Sequence, residues 1–117
     1  MTDETVTYTQ VARVQGRAHN ISTNVSTAEI SSFIVDAEDL IDGVMMHSFK
    51  GNFSTTKHSL LQAAATVIAA LSAVAADPST FTDLPEAQGL MDVLWAESWR
   101  FLTLLSDVRV VTWLKQR

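Results

Sequence analysis

The chain contains no cysteine. That excludes disulfides, thiolate metal sites and cysteine nucleophiles, and it leaves the redox compartment open. Its four glycines, Gly16, Gly43, Gly51 and Gly89, stand alone, so there is neither a phosphate-cradling loop nor a dinucleotide fingerprint. No G-x-S-x-G elbow occurs. The three histidines, His19, His47 and His58, lack HExxH spacing, and each falls in or beside a loop. Solvated or capping roles are their ordinary explanation, ahead of metal binding. No Lys or Arg occurs between Arg17 and Lys50, and the net charge is −5. That argues against a whole surface that binds nucleic acid by releasing counterions, though not against a local basic patch. The acidic, polar opening Met1-Thr2-Asp3-Glu4 predicts no signal peptide. In that setting the sequons Asn20-Ile-Ser22, Asn24-Val-Ser26 and Asn52-Phe-Ser54 read as chance matches in a Ser/Thr-rich chain. What remains is the expectation of a non-enzyme with no cofactor and no metal.

What is there is apolar and periodic. Hydrophobic residues make up 47% of 117, enough for one globular domain spanning 1–117 with its own core. The clearest element opens at Val25-Ser26-Thr27-Ala28-Glu29-Ile30. Ser26 and Glu29 have capping-box spacing, and Val25 and Ile30 occupy the two positions of a hydrophobic staple. Beyond them Ile30, Phe33, Ile34, Ala37, Leu40, Ile41 and Val44 share a face, predicting a helix over about 27–46. A short helix over about 8–15 precedes it, with Gly16 as its stop. Residues 1–6 read as a frayed end and 17–25 as a polar loop. Asp83 and Glu86 repeat the capping spacing around Pro85, predicting a helix over about 84–105. Its apolar face includes Ala87, Leu90, Met91, Leu94, Trp95, Phe101, Leu102 and Leu105. Trp95 and Trp99 are four apart and can stack along one side; core packing is the expectation for Trp95.

Between these lies a third helix, over about 56–76, almost wholly apolar from Leu60 to Ala76. Its length sits at the lower edge of a membrane span, about 17 residues. It is mostly Ala, without an aromatic belt or basic flank, so the preferred reading is a helix buried on most sides, with no membrane. The expected class is all-α: four helices, one short and three long, with an extended or partly helical C-terminal tail.

Two regions are candidates for contact with partners. On the second helix Asp36, Glu38, Asp39 and Asp42 fall largely off the apolar face, predicting an acidic exterior that is solvated or meets a basic neighbour. At the end, residues 107–117 form a candidate docking tail, whose last ten residues carry Arg109, Lys115 and Arg117 without an acid. Val111 and Trp113 sit among them in a β-branched, partly alternating run. That run fits an extended tail; continuation of the fourth helix is the competing reading. Arg109, Val111, Trp113, Lys115 and Arg117 are therefore candidate docking residues. Phe49 and Phe53, flanking the Gly51-Asn52 turn, either pack locally or meet a partner.

The order of these parts resembles the head–tail connector, or head-completion adaptor, proteins of tailed phages and tailed archaeal viruses. The resemblance covers roughly residues 7–117. It is carried by Ile30-Ser-Ser-Phe-Ile34-Val-Asp-Ala37-Glu-Asp-Leu-Ile41-Asp42, by the Ala-rich Leu60-Leu-Gln-Ala-Ala-Ala-Thr-Val-Ile-Ala-Ala, and by the fourth helix and short tail that follow. The aromatic-rich fourth helix and the basic, Trp-containing tail depart from the family pattern. The resemblance implies a structural virion protein, made in the host cytoplasm. It would form a homo-oligomeric, dodecameric ring beneath the portal, contact a downstream neck or tail protein, and pass DNA without reading its sequence. The alternative is a small helical regulatory module that binds a partner protein through aromatics of the fourth helix.

Overall fold

The computed structural model of the chain describes residues 7–18, 21, 24–77 and 84–117. Among them the fold is all-α. Five helices follow one another without a strand: α1 (Val11–Arg17), α2 (Thr27–Met45), α3 (Ser59–Ala76), α4 (Leu84–Leu105) and α5 (Val108–Lys115). The expected frayed residues 1–6, and Asp83 of the second capping pair, lie outside the described residues.

The α2 start is as the sequence spells it. The Ser26 hydroxyl accepts from the Glu29 amide at 3.1 Å, and Glu29 Oε1 accepts from the Ser26 amide at 3.3 Å, so two otherwise orphaned donors are satisfied. Val25 and Ile30 are both buried beside this cap. The helix stops at Met46, which takes the left-handed conformation with φ 56° while its side chain is 91% exposed.

The Ala-rich α3 is the centre of the fold. It packs against α1, α2 and α4, and Ala64, Ala65, Ala69, Ala70 and Ala73 are fully buried. Small side chains on all sides let three neighbours approach one axis closely. By length and composition α3 is apolar enough to cross a membrane, but its seat among three helices is that of a core helix. Ile34, Ile41, Leu61, Val74, Leu94 and Leu105 complete the interior around it.

Three boundaries differ from the sequence reading. The first helix begins at Val11 rather than near Tyr8, and it runs through Gly16 to Arg17. The segment before it is instead a strap: Tyr8 and Thr9 are buried and held from the side by α2 and α3. The Thr66 hydroxyl donates to the Gln62 carbonyl at 2.7 Å, so the 2.6 Å contact with Thr9 must use the Thr9 proton. The third helix begins at Ser59 rather than Thr56, because the Ser54–His58 turn is closed by its own bond, His58 N–H to the Ser54 carbonyl at 2.8 Å. Finally, the tail is neither extended nor a continuation of α4. The Asp107 side chain accepts from the Arg109 amide at 2.9 Å and caps a separate helix. Burial of Val111 and Leu114, three apart, overrides the strand preference of its valines.

Candidate interaction surfaces

Of the four acidic candidates on α2, the structure sets two outside and draws two inward. Asp36 and Asp39 are exposed, and Asp39 takes the Lys50 ammonium at 2.9 Å. Asp42 is half-buried. It lies 3.5 Å from the same ammonium and accepts the Tyr8 hydroxyl at 2.7 Å. That hydroxyl in turn accepts from the Phe49 amide at 2.9 Å. Burial, followed by the Asp42 carboxylate, pushes the Tyr8 phenol far above its ordinary value. The Asp39 bond holds the Lys50 ammonium above its own ordinary value.

Glu38 corrects the expectation of a solvated acid. It is 1% exposed, and its Oε2 accepts from the backbone amides of Thr7 at 2.8 Å and Tyr8 at 2.7 Å. Its role is to clamp the strap ahead of α1. Desolvation raises its carboxyl above the ordinary value. The Thr7 and Tyr8 amides and the charge of Lys50 pull the other way without overcoming it.

The aromatic pair in the 47–58 connection turns inward. Phe49 is fully buried, in edge contact with His47 and tilted against His58. Phe53 packs on Tyr8 with ring centroids 5.1 Å apart. Phe49 is therefore not available for docking, while Phe53 stays half-buried. His58 is also internal. Its Nδ1 accepts from the Ser54 amide at 3.2 Å, which leaves the proton on Nε2 for the Leu114 carbonyl at 3.2 Å.

The tail candidates divide by face. Val111 is buried against the chain's own core, so it is not available for docking. Arg109, Trp113, Lys115 and Arg117 are on the outer side of α5. Arg109 forms a two-point pair with Asp107, at 2.9 and 3.2 Å, which lowers the Asp107 carboxyl and raises the guanidinium. The Arg117 guanidinium lies 4.5 Å above the Trp113 ring centroid, a cation–π contact on the surface.

A second aromatic site is on α4. Trp95 and Trp99 stack as their spacing predicts, with centroids 6.4 Å apart and planes 25° from parallel. They are nevertheless 60% and 62% exposed, which corrects the expectation of a core Trp95. On an i, i+4 ladder both rings occupy one column, and the core column beside it is already filled by Leu94, Ser98 and Leu105. Beside Trp99 an open cleft of about 340 Å³ is lined by Val44, Leu102, Thr103 and Ser106. The C-terminal ends of α2 and α4 therefore lie side by side. Leu40, 46% exposed, continues this apolar strip on α2. A second cleft, of about 270 Å³, lies between α1, α3 and α4, where Arg17 pairs with Glu97 beside Arg13 and Ser59.

No three His, Asp or Glu side chains converge in the manner of a metal site among the described residues. The chain matches no protein-family model, no curated protein and no solved structure. Chemistry therefore has to be read from these surfaces alone: an acidic strip on α2, an apolar aromatic strip on α2 and α4, and a basic aromatic face on α5.

Proposed function

We propose that the protein is a non-enzymatic structural adaptor of the head–tail connector kind, a ring subunit beneath a viral portal. It would link capsid to tail and line the DNA exit channel. The observation that carries this reading is the one-sided α2: its core face is engaged by α3, while Asp36 and Asp39 are exposed on the outside, Asp39 paired with Lys50. Carboxylates along a channel wall repel phosphates, so DNA slides past without adhering. With Glu38 and Asp42 committed to the strap and Asp39 paired with Lys50, Asp36 is the α2 carboxylate left for that task. The order of elements supports the same reading: a short helix, a capped acidic helix, an Ala-rich central helix, a fourth helix and a short terminal segment. In this proposal the assembly is dodecameric. Its partners are the portal and a downstream neck or tail protein, and the protein resides in the virion.

Electron microscopy of the protein mixed with portal rings and other virion proteins tests it. The expected image is an annulus seated on the portal, with the same density in intact particles. Dispersed protein, absent from particles, overturns the reading.

One observation favours a second reading. The stacked, exposed Trp95 and Trp99 are the anchors expected of a small helical module that binds a partner protein. Recovery of such a partner from cells without virions, lost on Trp99→Ala, would support it over the connector.

A further inference from the structure

Two exposed aromatic surfaces of this chain have opposite electrostatic character. The first is the α2–α4 strip. Its apolar floor is Trp95, Trp99, Val44 and Leu40, with the cleft beside Trp99. Its flanks are acidic. Asp36 stands one turn before Leu40 on α2, and Asp92 stands within one turn of Trp95 on α4. Both are exposed, and neither has a cation partner among the described residues.

The second surface is the outer face of α5. Trp113 is 49% and Val108 76% exposed. Arg109 is neutralised by Asp107, but Lys115 and Arg117 have no carboxylate partner among the described residues. The last ten residues carry three positive charges and no acid, so the rest of the chain stands at −8 against the total of −5. The inner face of α5, Val111 and Leu114, is already spent on its own core. Its outer face cannot turn inward as well.

We propose that the α2–α4 strip is a socket for the outer face of α5 from a second copy of this chain. Trp113 would enter the cleft beside Trp99, and Lys115 and Arg117 would meet Asp92. Among the described residues neither half has a charge partner within one chain, and each presents the charge that the other lacks. Two different patches make the contact heterologous, so every bound copy leaves a free socket and a free α5. Growth then continues until a ring closes. This arrangement rests on the ring assembly proposed above, and it identifies the surfaces that would build that ring.

Sedimentation of the full chain over a concentration series, up to about 1 mM, tests the contact without a portal. Wild type is expected to associate. Trp99→Ala, which loses the socket, and Trp113→Ala, which loses the plug, should each weaken association at least about tenfold. Mixed together, the two variants should form a one-to-one dimer and stop, because only one productive contact remains. Lys115→Glu with Arg117→Glu is a second plug variant, on exposed positions, should Trp113→Ala lose its helical circular dichroism. Three results overturn the proposal. They are a wild type that stays monomeric throughout, a Trp113→Ala protein that associates like wild type, and a mixture that forms no dimer. Rings that still form on the portal with these variants would refute the socket and leave the connector reading standing. No annulus on the portal, despite head-to-tail association in solution, would do the reverse.

Discussion

His58 Nε2 donates to the carbonyl of Leu114, 56 residues later, at 3.2 Å. The bond joins the turn ahead of α3 to the last turn of α5. Both residues are buried, Leu114 completely, so the end of the chain is part of the core. A tail that waits for a partner before ordering would show neither the bond nor the burial.

Truncation after Asp107 should therefore destabilise the domain rather than only silence its docking. Val111 and Leu114 each contribute about 1.5–3 kcal/mol by burial, and His58 loses an acceptor. A loss of about 3–6 kcal/mol is a large part of a typical domain's stability. Chemical denaturation of the truncated chain measures it. His58→Ala in the full-length chain should cost about 2–4 kcal/mol, since it strands the Ser54 amide and the Leu114 carbonyl and removes packing against Phe49. A truncated protein as stable as the full chain would show that α5 is not part of the core.

Glu38 makes a prediction with a sign. Its folded carboxyl lies above the ordinary 4.5 because burial outweighs the amides of Thr7 and Tyr8. The native state thus holds this proton to higher pH than the unfolded chain does. The contribution is greatest below about 4.5 and declines as pH rises through the folded value. Between about pH 4 and about pH 7, wild type should lose stability relative to Glu38→Gln, which does not titrate. An equal pH profile for both would show that the carboxyl is not perturbed. Glu38→Ala has a separate cost, about 2–4 kcal/mol, because two buried amides lose their acceptor. Limited proteolysis near Tyr8 should then accelerate as the strap comes loose.

Most of the fold was legible because it follows from periodicity and capping. Ser26 and Glu29 announce α2, and the Ile30–Ile34–Ala37–Ile41 column announces its buried face. Glu38 and Asp42 were legible as acids but not as interior ones. Their partners are Thr7, Tyr8 and Lys50, set by where the strap crosses α2, and no local pattern encodes that crossing. The same applies to α5. Valine-rich composition argues for strand, and only the long-range contact with His58 and the core decides for helix. The position of Trp95 depended on which of two adjacent columns of α4 faces α3. Leu94 and Leu105 already fill that column, a sign present in the sequence but weaker than the pull of a tryptophan toward the interior.

Met46 ends α2 in the left-handed region, at φ 56°, with its side chain in solvent. A side chain with a Cβ pays about 1–2 kcal/mol there. Glycine removes that strain but adds backbone entropy to the unfolded chain. Met46→Gly should raise stability by about 0.5–1 kcal/mol, read as a rise of a few degrees in Tm. Met46→Val should lower it, since a β-branched residue fits this conformation worst.

The Ala column of α3 is the most stringent test of the packing. Ala65, Ala69 and Ala73 recur every four residues at 0% exposure, so they form one continuous line along which a neighbouring helix lies close. Ala69→Leu keeps helix propensity and adds apolar surface, so on composition alone it should be harmless or favourable. In a core packed at crystal density it must push helices apart, at a cost of about 1–3 kcal/mol or more. Ala75→Leu, on the exposed side of the same helix, is the control and should be within about 0.5 kcal/mol of wild type. Denaturation curves for the two variants separate the cases. Equal stabilities would mean that α3 is not held on the Ala69 side, and the close three-neighbour packing described for it would be wrong.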